Sequence, residues 1–441
     1  MLMSSAVLQR GFTEEAFAAF VAERNEPAWL AQLRTKAWQA FQHKPLPDRS
    51  QEEWNRTDIR GLRLESFALP LPTQQRADLP PSLLGEGLEP AGQLLAVDSF
   101  PARRRLDSQL QQQGVLFGAL DELVSTHEGL LRPYLENPLV DPEADKFAAL
   151  VAACWASGCL LYVPRNVKLS RPLHLFSVLS AGKTDIGRTL IVLEEGAEAT
   201  VLAETASTDP HAPGLHCGTV EILVGPRANL RYVSLQDWGK GVWHFGHQKV
   251  RVAQDATLRW TVAALGSRLA KVNQHVVLAD SGANAQVDGV MFAEGSQHLS
   301  YHTLQHHAAG GCTSDLLYKG ALQDRARIVW RGMIRVDPDA QKTDGYQRND
   351  NLMLSDEARV DSIPGLEIMA DDVKCSHGAT TGRVDDEMIF YAAARGFTRK
   401  EATRLIVAGF FQQVFDRITI EQVRTALAQT IARRVQEFKA H

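Results

Sequence analysis

The sequence predicts a mainly β chain, with a strand solenoid at its centre and helical regions at either end. The first observation behind this is a recurring unit: a strand of alternating hydrophobics, a short turn, then Ala-x-aliphatic. It reads "LIVLEEGAEA", "VEILVGPRANL", "KVRVAQDATL", "HVVLADSGANA", "GALQDRARI" and "NLMLSDEARV". The corner alanines Ala197, Ala228, Ala256, Ala283, Ala326 and Ala358 stand 31, 28, 27, 43 and 32 residues apart. Such a unit cannot bury its apolar face until a neighbouring unit covers it, so the repeat implies stacked coils. The second observation is that both ends carry apolar residues at helical spacing instead. The third is that 441 residues with 44% hydrophobic content suffice for a large core. Strand alternation with Gly and Asp turns also suits a β-sandwich, and the repeat alone leaves that alternative open. The expected partition is 1–145, mostly helical; 146–378, the repeat core; and 379–441, a C-terminal helical domain.

Taken in order, Thr13 is placed to cap "EEAFAAFVAER". Pro27 stands where a first-turn proline is tolerated, before a helix with Trp29, Leu30, Leu33, Ala37 and Phe41 on one side. "HKPLPDRS" ends that helix. Short elements and proline-rich joints such as "LPLPTQQRADLPPS" follow. Phe147 to Val163 is uncharged, but it is shorter than the ~20 residues a membrane span needs and is broken at Ser157-Gly158. It reads as a buried helix turning into a strand. In the repeat, the 43-residue interval contains "GSQHLSYHTLQHHAAGGC", read as an inserted or additional strand pair. After the repeat, Asp385-Asp386-Glu387 open a helix that Gly396 closes. Thr398-Arg399-Lys400-Glu401 is a capping box for the next helix. Its expected buried face is Ala402, Leu405, Ile406, Gly409, Phe410 and Val414, and a last helix carries Val423, Leu427, Ile431 and Val435. So thin a bundle must pack on the core or on a partner.

A formal charge of −5 and no basic run give no footprint for nucleic acid. "MLMSSAVLQRGFTEEAF" lacks a cationic region followed by an apolar one, which argues against a cleaved secretion signal. Five scattered cysteines, Cys154, Cys159, Cys217, Cys312 and Cys375, suit a reducing cytoplasm and include no Cys-x-x-Cys pair. "SVLSAGKTD" ends like a phosphate loop, but its first glycine is replaced by Ser177 and no long helix follows, so a hairpin turn is expected. Dinucleotide and nucleophile-elbow motifs are absent. Glu194, Glu195, Asp280, Asp324, Asp356 and Glu357 fall in the turns, as turn formers do.

Two histidine features remain. His298, His302, His306 and His307 lack the accompanying glutamate of a metallohydrolase and read as solvated strand residues. Cys375 and His377, two apart in "DDVKCSHGATTGRVDDEMIF", project to one side of an extended backbone. Two ligands are too few for a tetrahedral metal, so the pair is half of a shared site, a thiolate–imidazole catalytic pair whose orienting partner and oxyanion hole the sequence does not show, or a half-buried thiol beside a surface imidazole.

The run Thr343 to Phe411, with "EEWNRTD" at Glu52 to Asp58 and "GCLLYVPRNVKLSRPLHL" at Gly158 to Leu175, closely resembles the SufB/SufD family of iron-sulfur cluster assembly proteins. The SufB branch has a Cys after Pro-x-x-Glu and a Glu-His-Glu-Ala-Thr sequence. Here Ile368 follows Glu367, and the chain reads Cys375-Ser376-His377-Gly378-Ala379-Thr380, the SufD form. The resemblance implies a right-handed parallel β-helix core flanked by helical regions. It further implies a non-catalytic scaffold subunit in a cytoplasmic complex with SufB and the ATPase SufC, with no nucleic acid or membrane partner. SufB would pair with it through the β-helix cores, a homodimer being the alternative when SufB is absent. SufC would dock on the C-terminal helices, with Thr398, Glu401, Leu405, Ile406 and Phe410 as candidates. By the same resemblance, His377 and Cys375 would contribute to a transient iron-sulfur cluster or iron site that SufB completes. The competing readings are a solenoid carbohydrate-active lyase or hydrolase, and a histidine-ligated zinc hydrolase.

Overall fold

The computed structural model describes residues 11–24, 26–72 and 78–436. The first ten residues and 73–77, inside the proline-rich joint, lie outside the described residues. Helices α1 (Glu14–Ala22) and α2 (Ala28–His43) come first, then β1 (Gly92–Val97), β2 (Phe100–Leu106), α3 (Ser108–Gln112), β3 (Leu116–Ala119), α4 (Leu120–Thr126), α5 (Glu128–Glu136) and α6 (Lys146–Cys154). The solenoid continues through β4 (Ser157–Val163), β5 (Leu173–Leu179), β6 (Thr184–Leu193), β7 (Glu198–Ser207), β8 (Gly214–Val224), β9 (Asn229–Asp237), β10 (Val242–Val252) and β11 (Thr257–Ala264). It goes on through β12 (Leu269–Leu278), β13 (Asn284–Ala293), β14 (His298–His307), β15 (Thr313–Leu322), β16 (Arg327–Val336), β17 (Asp344–Met353), β18 (Arg359–Ile368) and β19 (Lys374–Arg383). Helices α7 (Asp386–Ala393), α8 (Arg399–Phe415) and α9 (Glu421–Gln436) close the chain.

From β4 onward successive strands alternate between two sheets. Odd-numbered strands stack in one, ordered β19-β17-β15-β13-β11-β9-β7-β5-β1-β2, and even-numbered strands in the other, ordered β18-β16-β14-β12-β10-β8-β6-β4-β3. Pairing is parallel throughout, except that β2 and β3 add antiparallel strands at the N-terminal end. This is a parallel β-helix and not a sandwich of antiparallel sheets.

Corner chemistry explains the repeat. At one edge, a residue in the left-handed region is followed by a small buried residue: Gly196-Ala197, Arg227-Ala228, Asp255-Ala256, Gly282-Ala283, Gly311-Cys312 and Lys342-Thr343. The left-handed residue turns the chain, and the small one fits beneath the next coil. The 43-residue interval is therefore not an insertion. The corner after Ala283 is Cys312, 29 residues on, and β14 is an ordinary rung paired with β12 and β16. Ala326 and Ala358 belong to the opposite edge, before β16 and β18. "SVLSAGKTD" likewise is no hairpin, because β5 and β6 lie in different sheets and Gly182 (φ 73°) turns the corner between them.

Alternating side chains fill the space between the sheets; Ile191, Ile222, Val250 and Val276 form one such ladder. On the outer face of the even sheet, α6 packs as the expected buried helix, with Phe147 stacked on Phe245 at 3.6 Å. Its ends are closed by side chains. The Asp145 carboxylate accepts from the Phe147 and Ala148 amides, and buried Arg34 donates to the Ala153 and Trp155 carbonyls while Glu26 neutralises it.

Helices α8 and α9 cover the outer face of the odd sheet. The capping box of Thr398 and Glu401 is present, and Val423, Leu427, Ile431 and Val435 are all buried. The expected face of α8 is rotated. Its largest buried residues are Val407, Phe411, Val414 and Phe415, which seat on the sheet, while Leu405 points to solvent. Apolar residues surround this helix, and the fit of Phe411 and Phe415 against the sheet decides between its sides. Arg434 locks α9 down through Asp237, Glu294 and the Leu265 carbonyl. No described helix is long and apolar enough to cross a membrane.

Candidate functional site

The solenoid ends at β18 and β19, the terminal strands of the two sheets, with one edge of each left unpaired. In β19, the Lys374 amide donates to Thr343 and the amide just past the strand, Val384, to Met353, both on the β17 side. Alternation in a parallel strand therefore turns the amides of 375, 377, 379, 381 and 383 to the free edge. Most of β19 is solvent-exposed, as are Leu366, Ile368 and Met369 at the end of β18.

Cys375 and His377 sit on this last rung, opposite Gly345 and Gln347 of β17. Their spacing places both on the lumen side of the strand. Gly345 leaves little room there: a Cβ on it would lie 3.3 Å from Cys375 Sγ and 3.5 Å from His307 Nε2. Cys375 is half-buried against the small cluster of Ile334, Val336, Ala340 and Ala370, and His377 is exposed. Burial pushes the Cys375 thiol up, against the pull of a hydrogen bond to the Gly345 backbone. It is thus a thiol near neutrality, one that a soft metal would deprotonate on binding.

The other histidines divide by strand alternation. His298, His302 and His306 face outward from β14, and His307 faces inward, fully buried, its Nε2 2.8 Å from Ser314 Oγ. The sequence reading of solvated histidines fails for His307, while His298, His302 and His306 are partly buried. Burial lowers His298 to about 4 and His307 to about 4; burial together with Lys271 and Arg331 lowers His302 to about 2. His306 is held by Asp337. Among the described residues, no group of three or more His, Cys, Asp or Glu is placed to hold a metal ion. The turn acids are engaged at corners: Asp280 with Arg251, Asp356 with Arg383, and Asp324 accepting from the Gly295 amide.

Of the helical candidates, Thr398 and Glu401 are occupied by the cap, and Ile406 and Phe410 pack toward the solenoid, where the Lys319 ammonium donates to the Phe410 carbonyl. Leu405 alone among them is an exposed large apolar residue. It has company that sequence reasoning missed: Met388, Phe390 and Tyr391 on α7, and Phe397 in the link to α8, with Phe390 76% exposed. The signal was the unbroken run Met388-Ile389-Phe390-Tyr391, which cannot bury every side of one short helix.

Residues 176–410 match the family described as SUF system FeS cluster assembly, SufBD core domain, and residues 15–175 match the SufBD protein N-terminal region. A protein of Staphylococcus epidermidis named as an iron-sulfur cluster assembly SufBD family protein is 28% identical over 430 residues, covering 94% of this chain and 91% of its own length. A relative of the same family name from Staphylococcus haemolyticus is also 28% identical, and one from Staphylococcus aureus 26%, with the same coverage. With a β-helix of the expected architecture and family matches running through both its regions, the chain belongs to the SufBD family of iron-sulfur cluster assembly proteins.

Proposed function

We propose that this chain is a SufD-type scaffold subunit, without catalytic chemistry of its own, in a cytoplasmic SufBCD-type assembly complex. The observation that carries the reading is the position of Cys375 and His377 on the last, one-sided rung of the solenoid. Two donors on an open strand edge are an incomplete coordination sphere, and a second β-helix docking on that edge would bring the remaining thiolates. A SufB subunit fits this role, and iron or a transient iron-sulfur cluster is the cargo. A second copy of this chain would use the same edge when SufB is absent. The exposed apolar group on α7 and α8 suits the docking of a SufC-type ATPase, in keeping with the lack of a phosphate loop in this sequence. Ile368, where the SufB branch has cysteine, favours the SufD form.

The test is co-expression with SufB and SufC partners, followed by measurement of iron, sulfide and subunit ratio in the purified assembly. A three-component complex whose iron content falls in the His377→Ala variant is expected. A stable, complete cluster on the isolated chain, or no association with SufB, overturns the proposal.

A further inference from the structure

The lumen of the solenoid's first half has a construction that the proposed site on β19 does not involve. Three successive rungs of the even sheet carry the same spacing of a polar residue and a glycine: Asp185-Ile186-Gly187, His216-Cys217-Gly218 and His244-Phe245-Gly246. Register stacks Gly187 on Gly218 on Gly246, and Asp185 on His216 on His244. The next rung, Ala270-Lys271-Val272, ends both ladders. His216 and His244 stack with ring centroids 4.8 Å apart. Each ring folds back over its own glycine: a Cβ on Gly218 would lie 2.6 Å from His216 Nε2, and one on Gly246 3.4 Å from His244. At Gly187 the sequence supplies only the short Asp185, and a Cβ there would meet nothing within 4 Å.

This open position belongs to a cavity of ≈ 140 Å³, walled on the odd sheet by Leu94, Leu175, Ala203, Tyr232 and Val262, with the hydroxyls of Ser177, Thr205 and Ser234 between them. Cavities of about 150 Å³ accept a benzene ring. Its polar side is fixed and unevenly satisfied. Asp185 is held by Ser99 and by His216, whose Nδ1 lies 2.6 Å from Asp185 Oδ2. His244, 6% exposed, and Gln248 both line the cavity, and His244 Nδ1 and Gln248 Oε1 have no hydrogen-bond partner. The His216 side chain keeps 13% exposure, so the polar end is the mouth.

We propose that this cavity is a binding site for a small, neutral aromatic compound of the phenol class. Its ring would lie over Gly187 on the side of His216 away from His244, with its hydroxyl directed to Asp185 and Thr189, which flank Gly187 on the same face of β6 and line the cavity. Rungs spaced about 4.8 Å apart set the stacking distance, and offset ring stacking suits that spacing. The aliphatic side chains of the far wall, Leu94, Leu175 and Val262, disfavour a charged occupant.

Calorimetric titration of the whole chain with phenol, and with benzene for comparison, tests the site. Saturable phenol binding is expected at about millimolar strength, as for a ligand of so few atoms, and about tenfold tighter than benzene because of the hydroxyl. Gly187→Val fills the open position without straining a left-handed backbone. It should keep or raise the thermal midpoint and weaken phenol by about tenfold or more, with Gly187→Ala intermediate. Equal phenol affinity in the wild-type chain and Gly187→Val, or no saturable binding to the wild-type chain, overturns the site; benzene binding as tightly as phenol overturns the assignment of a hydroxyl ligand.

Discussion

His377 is exposed on an edge strand, so removing it probes chemistry instead of packing. His377→Ala should change unfolding free energy by less than about 0.5 kcal/mol while lowering cluster assembly in a complementation assay. Cys375→Ala should give the milder loss of assembly, with about 1 kcal/mol of destabilisation from its packed sulfur. Lys271 offers a pH test. It is 2% exposed, its Nζ donates to Asn273 at 3.2 Å and sits 5.6 Å from the Trp54 ring, and burial lowers its pKa from 10.5 to about 7. Between pH 7 and 10.5 the unfolded chain holds a proton that the folded chain releases, so stability rises with pH across that window. Lys271→Met should therefore stabilise the protein, on the order of 2 kcal/mol at or below pH 7, with the gain shrinking toward pH 10 in denaturant titrations. Strand alternation made the shared face of Cys375 and His377 legible in the sequence. Burial of His307 was not, because it depends on which of two adjacent histidines, His306 or His307, meets the lumen, and register settles that only once the coils stack.

At the level of elements, local chemistry was readable, and facing was readable for α9 but not for α8. Thr13 and Thr398 cap as their sequences require, because a cap is decided within four residues. The buried side of α8 is decided by the odd sheet, some 90 or more residues earlier in the chain, and apolar residues all around the helix left no unique stripe to read. This separates two variants of neighbouring helices. Phe411→Ala removes a fully buried ring and should cost about 3–5 kcal/mol, freeing α8 to proteolysis at the Val384–Phe397 link. Phe390→Ser on α7 should leave the melting midpoint unchanged and weaken co-purification of the proposed ATPase partner.

For the whole molecule, the coil period survived in the sequence because each corner needs one left-handed and one small residue. It was misread once, where the alanine moved to the opposite corner while Cys312 and Thr343 kept the first corner's place. The free edge invites a direct test. The Thr381 amide faces away from β17, so Thr381→Pro removes no ladder bond and should leave the monomer folded while abolishing pairing with a second β-helix in analytical ultracentrifugation.

The two ends of the solenoid differ in kind. At the start, β2 runs antiparallel and presents Arg103, Arg104 and Arg105 in an exposed row, so that margin repels a neighbour's strand. Of the two margins of the odd sheet, strand addition is therefore opposed at β2 and left open at β19. Were the proposed mate to dock on β19, the odd sheet would have no second open margin from which to extend, so a closed pair and not a fibre is the expected product of that docking.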